Sequence, residues 1–153
     1  MNSRAINSGF TLVELLITIS ITLALAVAAV PIYGNLQVSA QLNDNSSQIT
    51  QTIRVARQRS LAGLNNSDHG VYFGSHVYTL FQGSSYASRD SKYDLRVQIN
   101  DILDISTNLM SLGDEIVFQN ITGLPNTTGN IVLRHQISGQ KIIQVNEVGR
   151  VQN

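Results

Sequence analysis

The chain opens with an apolar run that few architectures can accommodate. Between Phe10 and Tyr33, in FTLVELLITISITLALAVAAVPIY, 18 of 24 residues are apolar. As a helix this run is about 36 Å long at ~1.5 Å per residue, enough to cross a hydrocarbon layer of ~30 Å. Arg4 is the only basic residue before it and Arg54 is the next after it. That asymmetry places the N-terminus in the cytoplasm and the remainder outside. Glu14 interrupts the run at its fifth residue. A carboxylate inside a span costs at least ~2.5–3.5 kcal/mol on insertion scales, so it needs a partner.

Three readings of this segment compete. Arg4, the apolar run and the small residues Ala24, Ala26, Ala28 and Ala29 fit a cleaved secretory signal, but the run is longer than the usual ~7–15 residues and carries a charge. A plain signal anchor accounts for the length and leaves Glu14 unexplained. In the third reading a peptidase cuts after Gly9, and Phe10 becomes a new N-terminus. Its α-amine is then a cation at the head of a helix, available to the Glu14 carboxylate of a neighbouring chain.

Gly9-Phe10-Thr11-Leu12-Val13-Glu14-Leu15-Leu16, with a short leader bearing Arg4 and a long apolar helix behind it, resembles the class III signal of type IV pilins and pseudopilins. Pro31 falls where that family commonly has a helix-interrupting proline. The resemblance implies cleavage between Gly9 and Phe10 by a prepilin peptidase, N-methylation of Phe10, and assembly through Glu14. It also implies other pilin or pseudopilin subunits and the inner membrane as partners. From the residues alone, Pro31 lacks an N–H and would clash with the carbonyl of Val27, which kinks or loosens a helix. A membrane-exit boundary explains it equally well.

From Leu36 to about Leu64 the pattern becomes amphipathic. Ile49, Ile53, Ala56 and Leu61/Leu64 recur at three- and four-residue steps, which reads as the second half of one helix packing on a globular domain. Asp44-Asn45-Ser46-Ser47 is poor helix material and a weak point. Gly63 and Asn65-Asn66-Ser67-Asp68 end the helix. Thereafter short strands and turns prevail. Gly70–Phe73 and His76–Phe81 flank Gly74-Ser75, a hairpin signal. Tyr93, Leu95, Val97 and Ile99 alternate with polar residues as a half-buried strand does. Glu115–Gln119 reads as a strand, and Asn130–Ile137 and Gln140–Asn146 as a hairpin joined by Ser138-Gly139. Ile102–Leu112 is open between strand and short helix, and Gly83–Ser91 reads as an exposed loop. A sheet of about six strands needs one face covered, and the amphipathic helix is the available cover.

The expected fold is therefore α+β: a long N-terminal helix packed on an antiparallel β-sheet or sandwich. The expected divisions are a leader at 1–9, a transmembrane or filament-core helix at 10–34, an amphipathic half at 35–64 and a β-rich domain at 65–153. Arg54-Val55-Ala56-Arg57, Ile116-Val117-Phe118, Gly129-Asn130-Ile131-Val132-Leu133 and the terminal Val148-Gly149-Arg150-Val151 resemble GspH/FimT-type minor pilins and pseudopilins, and imply a subunit at or near a filament tip.

Enzymatic signatures are missing: the sequence holds no Gly-X-Ser-X-Gly, no phosphate loop and no HExxH. With no cysteine and with His69, His76 and His135 lacking a standard zinc spacing, no cofactor or metal is expected. Asp101, Asp104, Asp114 and Glu115 read as solvated charges rather than a catalytic pair, and Arg54, Arg57 and Arg59 as a solvated helix face rather than a ligand site. DNA is the alternative partner. FimT-like subunits of competence systems are associated with it through a C-terminal Gly-Arg-x-Arg. Here Gly149-Arg150 is present, but Gln152 replaces the second arginine, and ten basic residues balance ten acidic ones. This weakens the DNA reading without excluding it, since a phosphate-gripping patch can be local. Arg150 reads otherwise as a turn and edge-strand arginine.

Overall fold

The structure is a computed structural model that describes residues 10–111 and 113–152. The chain divides into two units, Met1–Gln37 and Val38–Asn153. One helix, α1, is assigned from Leu12 to Leu61 and so contributes to both. The assignment continues through Pro31 and through Asp44–Ser47.

In the first unit the large apolar residues from Phe10 to Val27 are all exposed, between 47% and 77% where given. The polar residues among them turn inward on their own backbone. Thr18 donates to the Leu15 carbonyl (2.9 Å), Ser20 to Leu16 (2.7 Å) and Thr22 to Thr18 (2.9 Å). A hydroxyl satisfied in this way can sit in an apolar medium without an outside partner. Among the described residues no helix is long and apolar enough to cross a membrane. The span expected at 10–34 includes residues 28–32, whose side chains lie outside the description.

In the second unit α1 buries one stripe: Leu42, Ser46, Ile49, Ile53, Ala56 and Ser60. The steps of four and three keep these residues on one helix face. Leu61 and Leu64, expected on this stripe, are each 45% exposed instead. The helix has ended there, with Gly63 in the left-handed conformation (φ 62°) before a short 3-10 turn at Leu64–Asn66.

Eight strands follow: β1 (His69–Gly74), β2 (Val77–Gln82), β3 (Leu95–Gln98), β4 (Leu103–Leu109), β5 (Glu115–Phe118), β6 (Gly129–His135), β7 (Gln140–Val145) and β8 (Val151–Gln152). They form two four-stranded sheets, ordered β3-β2-β1-β5 and β4-β6-β7-β8, rather than one. All pairings are antiparallel. The segment left open at 102–112 resolves as β4. The sheets are linked where the Ile105 N–H donates to the Ser75 carbonyl (2.8 Å). Val71, Phe73, Leu80, Leu103, Ile116, Ile131, Leu133 and Ile143 join Ile49, Ile53 and Ala56 in one core.

Three local expectations change. The first hairpin pairs Gly74 with Val77, so its turn residues are Ser75-His76, one position later than expected. Strand β3 is an edge strand with Leu95 53% exposed, and Tyr93 belongs to a separate 3-10 turn. The 83–91 loop is pinned rather than free. Tyr86 stacks on Tyr72 (4.0 Å between centroids) and meets the edge of Phe81 (5.6 Å), and the Arg89 guanidinium lies 3.7 Å over its other face. Arg89 is held in turn by Asp94 at 2.8 Å. The loop thereby covers a sheet face that would otherwise expose aromatic surface.

Candidate functional site

Two places concentrate the residues singled out by sequence. At the first, Gly9 lies outside the described residues, and Phe10 is 74% exposed. Thr11 and Glu14 close a reciprocal capping box. The Glu14 N–H donates to Thr11 Oγ1 (3.2 Å), and the Thr11 N–H reaches Glu14 Oε2 at 3.5 Å. The box satisfies backbone donors that the first helical turn leaves free. It also holds a carboxylate at the positive end of the helix dipole, close to where a freed Phe10 amine would lie. Glu14 is exposed, so a cation from another chain can reach it.

At the second place the fold joins residues far apart in sequence. Arg54 and Arg57 on α1 and Gly149, Arg150, Val151 and Gln152 near the C-terminus line a cleft of about 390 Å³, with Gln58. Arg54 Nη2 donates to the Val151 carbonyl (3.4 Å) and Arg57 Nε to the Gly123 carbonyl (3.2 Å). Gly149 (φ +71°) sits so close to Arg57 that a Cβ there would lie 2.8 Å from Nε. The positive φ favours glycine, and an added Cβ would push the Arg57 guanidinium out of its place. The turn is fixed further by the Arg150 N–H, which donates to Asn146 Oδ1 (2.8 Å). No Asp or Glu lines the cleft. Among the described residues the Arg89–Asp94 ion pair and the His76–Asp104 contact (3.5 Å) leave these three arginines out. By sequence, Arg54, Arg57 and Arg59 form one cluster and Arg150 stands as a separate candidate. The fold instead unites Arg54, Arg57 and Arg150, while Arg59 faces His69 electrostatically.

The histidines and some of the acidic residues have structural contacts. His135 Nδ1 accepts from the Ile137 N–H (3.1 Å), which leaves Nε2 to donate to Gln41 Oε1 at 3.2 Å. His76 bonds the Leu103 carbonyl at 2.9 Å. Burial, and secondarily Arg59, lowers the pKa of His69. Asp90 caps the Ser91–Tyr93 turn, and Asp114 accepts from Thr107. Among the described residues no group of three or more candidate ligands could hold a metal.

Ser60 escaped the sequence reading. Wholly buried at the end of α1, it donates to the Phe118 carbonyl (2.9 Å) and accepts from the His69 N–H (3.0 Å), tying the helix to β5 and β1. The available signal was its four-residue step from Ala56 on the buried stripe.

Residues 4–30 match the family described as the prokaryotic N-terminal methylation motif. No curated protein matches the chain. Among solved structures, the minor pseudopilin EpsH from the Type 2 Secretion System of Vibrio cholerae is similar at a TM-score of 0.56 and 11% identity, over 73% of this chain and 94% of that one. The fold is accordingly α+β and pilin-like, a helix on antiparallel sheets behind a prepilin-type N-terminus.

Proposed function

We propose that this chain is a minor pilin-like subunit whose work is polymerisation rather than catalysis. A prepilin peptidase cuts between Gly9 and Phe10, the Phe10 amine is methylated, and the apolar helix holds the subunit in the inner membrane. The N-terminus is cytoplasmic and the β-rich unit periplasmic. The subunit then enters a type II secretion pseudopilus or a type IV pilus, near its tip, with other pilin or pseudopilin subunits as neighbours. The observation that carries this reading is the methylation motif over residues 4–30 on a chain with a minor-pseudopilin fold. The unpartnered apolar surface of residues 10–27 supports it, since such a helix needs lipid or neighbouring helices around it.

Glu14 pairs with the Phe10 amine of an adjacent subunit and releases its hold on its own helix end. Glu14→Ala is expected to leave insertion and cleavage intact and to abolish incorporation; normal incorporation of that variant refutes the role. N-terminal sequencing separates this reading from ordinary secretion, giving Phe10 in the one case and a residue near Val30 in the other. Gly9 replaced by a bulky residue is expected to leave the chain uncut.

DNA uptake is the second reading, favoured by the meeting of Arg150 with Arg54 and Arg57. Its test is a gel shift of the detergent-solubilised full chain at two salt concentrations. No shift at low salt removes it, and a shift unchanged in Arg150→Ala clears that arginine.

A further inference from the structure

We propose that the cleft between Arg54, Arg57 and Arg150 is an oxyanion socket that receives a side-chain carboxylate of a neighbouring filament subunit. The inference rests on the subunit reading and gives it a contact surface outside the apolar helix.

Three arginines line one concavity that has no Asp or Glu among its described lining residues. Like charges gathered this way repel one another, and an incoming anion relieves that repulsion. Two of the three have backbone partners. Arg54 and Arg57 each use a single N–H on a backbone carbonyl, which orients the guanidinium and leaves its other donors for a ligand. The turn at Asn146–Arg150 is locked by the Gly149 N–H donating to the Asn146 carbonyl (2.9 Å) and by the Asn146 side chain. Gln58 and Gln152 on the rim add amide donors. Planar forks held in this way match a carboxylate by paired N–H···O bonds.

The shape favours one carboxylate over a nucleic acid. A duplex backbone asks for a row of cations along its track, and single strands ask for aromatic platforms. The cleft measures about 390 Å³ and no aromatic residue lines it. The chain as a whole is neutral, with ten basic and ten acidic residues, so its net charge adds no attraction for a polyanion. A neighbouring subunit supplies carboxylates at high effective concentration once the apolar helices have brought the two together.

The test uses the full chain in detergent micelles, with fluorescent hexaglutamate as the carboxylate probe and a short DNA duplex as its competitor. The expected result is hexaglutamate binding at low salt that falls about tenfold in Arg150→Gln and in Arg54→Gln, and that weakens steeply as salt rises. Near-ultraviolet circular dichroism shows whether each variant keeps the native fold. Peptide binding equal in wild type and folded variants overturns the socket. Duplex binding that is stronger than peptide binding and lost in Arg150→Gln also overturns it, in favour of DNA. In cells, Arg150→Glu is expected to be cut after Gly9 normally and to incorporate poorly; full incorporation overturns the subunit contact. Failure of the subunit reading itself looks different: wild-type chain stays out of filaments while micellar peptide binding persists, which overturns the neighbour and leaves the anion chemistry standing.

Discussion

Removing the Ser60 hydroxyl is expected to destabilise the β-rich unit more than any exposed serine substitution. The hydroxyl makes two bonds to backbone groups, at 2.9 Å to the Phe118 carbonyl and 3.0 Å from the His69 N–H, and its residue is wholly buried. Ser60→Ala deletes both and admits no water in their place. Each such bond is worth ~1 kcal/mol net, and a buried group left orphaned costs ~1–3 kcal/mol. Alanine returns up to about 0.5 kcal/mol through helix propensity. The net loss is therefore about 2–3 kcal/mol, and for a unit of this size it lowers the melting temperature by roughly 8–12 °C. The assay is thermal unfolding of the full chain in detergent, followed by near-ultraviolet circular dichroism, which reads buried tyrosines such as Tyr78. Ser47→Ala, exposed on the same helix, is the control and is expected to be neutral or slightly stabilising. If Ser60→Ala unfolds within about 0.5 kcal/mol of wild type, the two bonds do not hold the helix to the sheet and the reasoning fails.

Gly70→Ala is expected to cost ~1–3 kcal/mol by overpacking, because its Cβ would meet Phe81 Cζ at 2.6 Å and the Ile116 carbonyl at 2.8 Å, neither free to move; a chemical denaturation midpoint equal to wild type refutes this. His69 titrates below its ordinary value of 6.5 in the fold because burial disfavours its cation, with Arg59 adding to the effect. Between the folded and unfolded pKa values the unfolded chain binds more protons, so this contribution is present above about pH 6.5 and lost as pH falls below it. Unfolding free energy measured across that window should drop more in wild type than in His69→Gln, and parallel profiles count against the assignment. Gly149→Ala is expected to weaken the cleft, since the added Cβ displaces Arg57, and to cost the fold about 1 kcal/mol in backbone strain at φ +71°; hexaglutamate affinity is the readout, and an unchanged value refutes the close approach.

Much of the local structure was legible because its causes are local. The three- and four-residue steps of Ile49, Ile53 and Ala56 located the helix face, and all three are wholly buried. The segment Asn130–Ile137, read as a strand beside Ser138-Gly139, is found as β6, whose buried residues are Ile131, Leu133 and His135. Glycine at 63 and at 139 marked chain reversals that need positive φ. The errors lay where a distant segment decides. Leu61 continued the apolar period but lies past the core, where it closes on Gly123 instead. Tyr86 looked like part of an exposed loop, yet a partner fourteen positions earlier, Tyr72, holds it in place.

The N-terminal motif is legible in sequence alone. Arg4, Gly9, Phe10, Glu14 and the apolar run form one contiguous pattern, and membrane partition and helix capping act on neighbours along the chain. Even the Thr11–Glu14 box joins residues only three positions apart. Tertiary structure alone decided that the strands divide into two sheets and that Ser60 bridges helix and strands. It alone set Arg150 in the same cleft as Arg54 and Arg57. Those arginines lie more than ninety positions apart, and the bond from Arg54 to the Val151 carbonyl crosses 97. No periodicity records such a meeting; it follows from which strand pairs with which, and burial of the whole core selects that pairing.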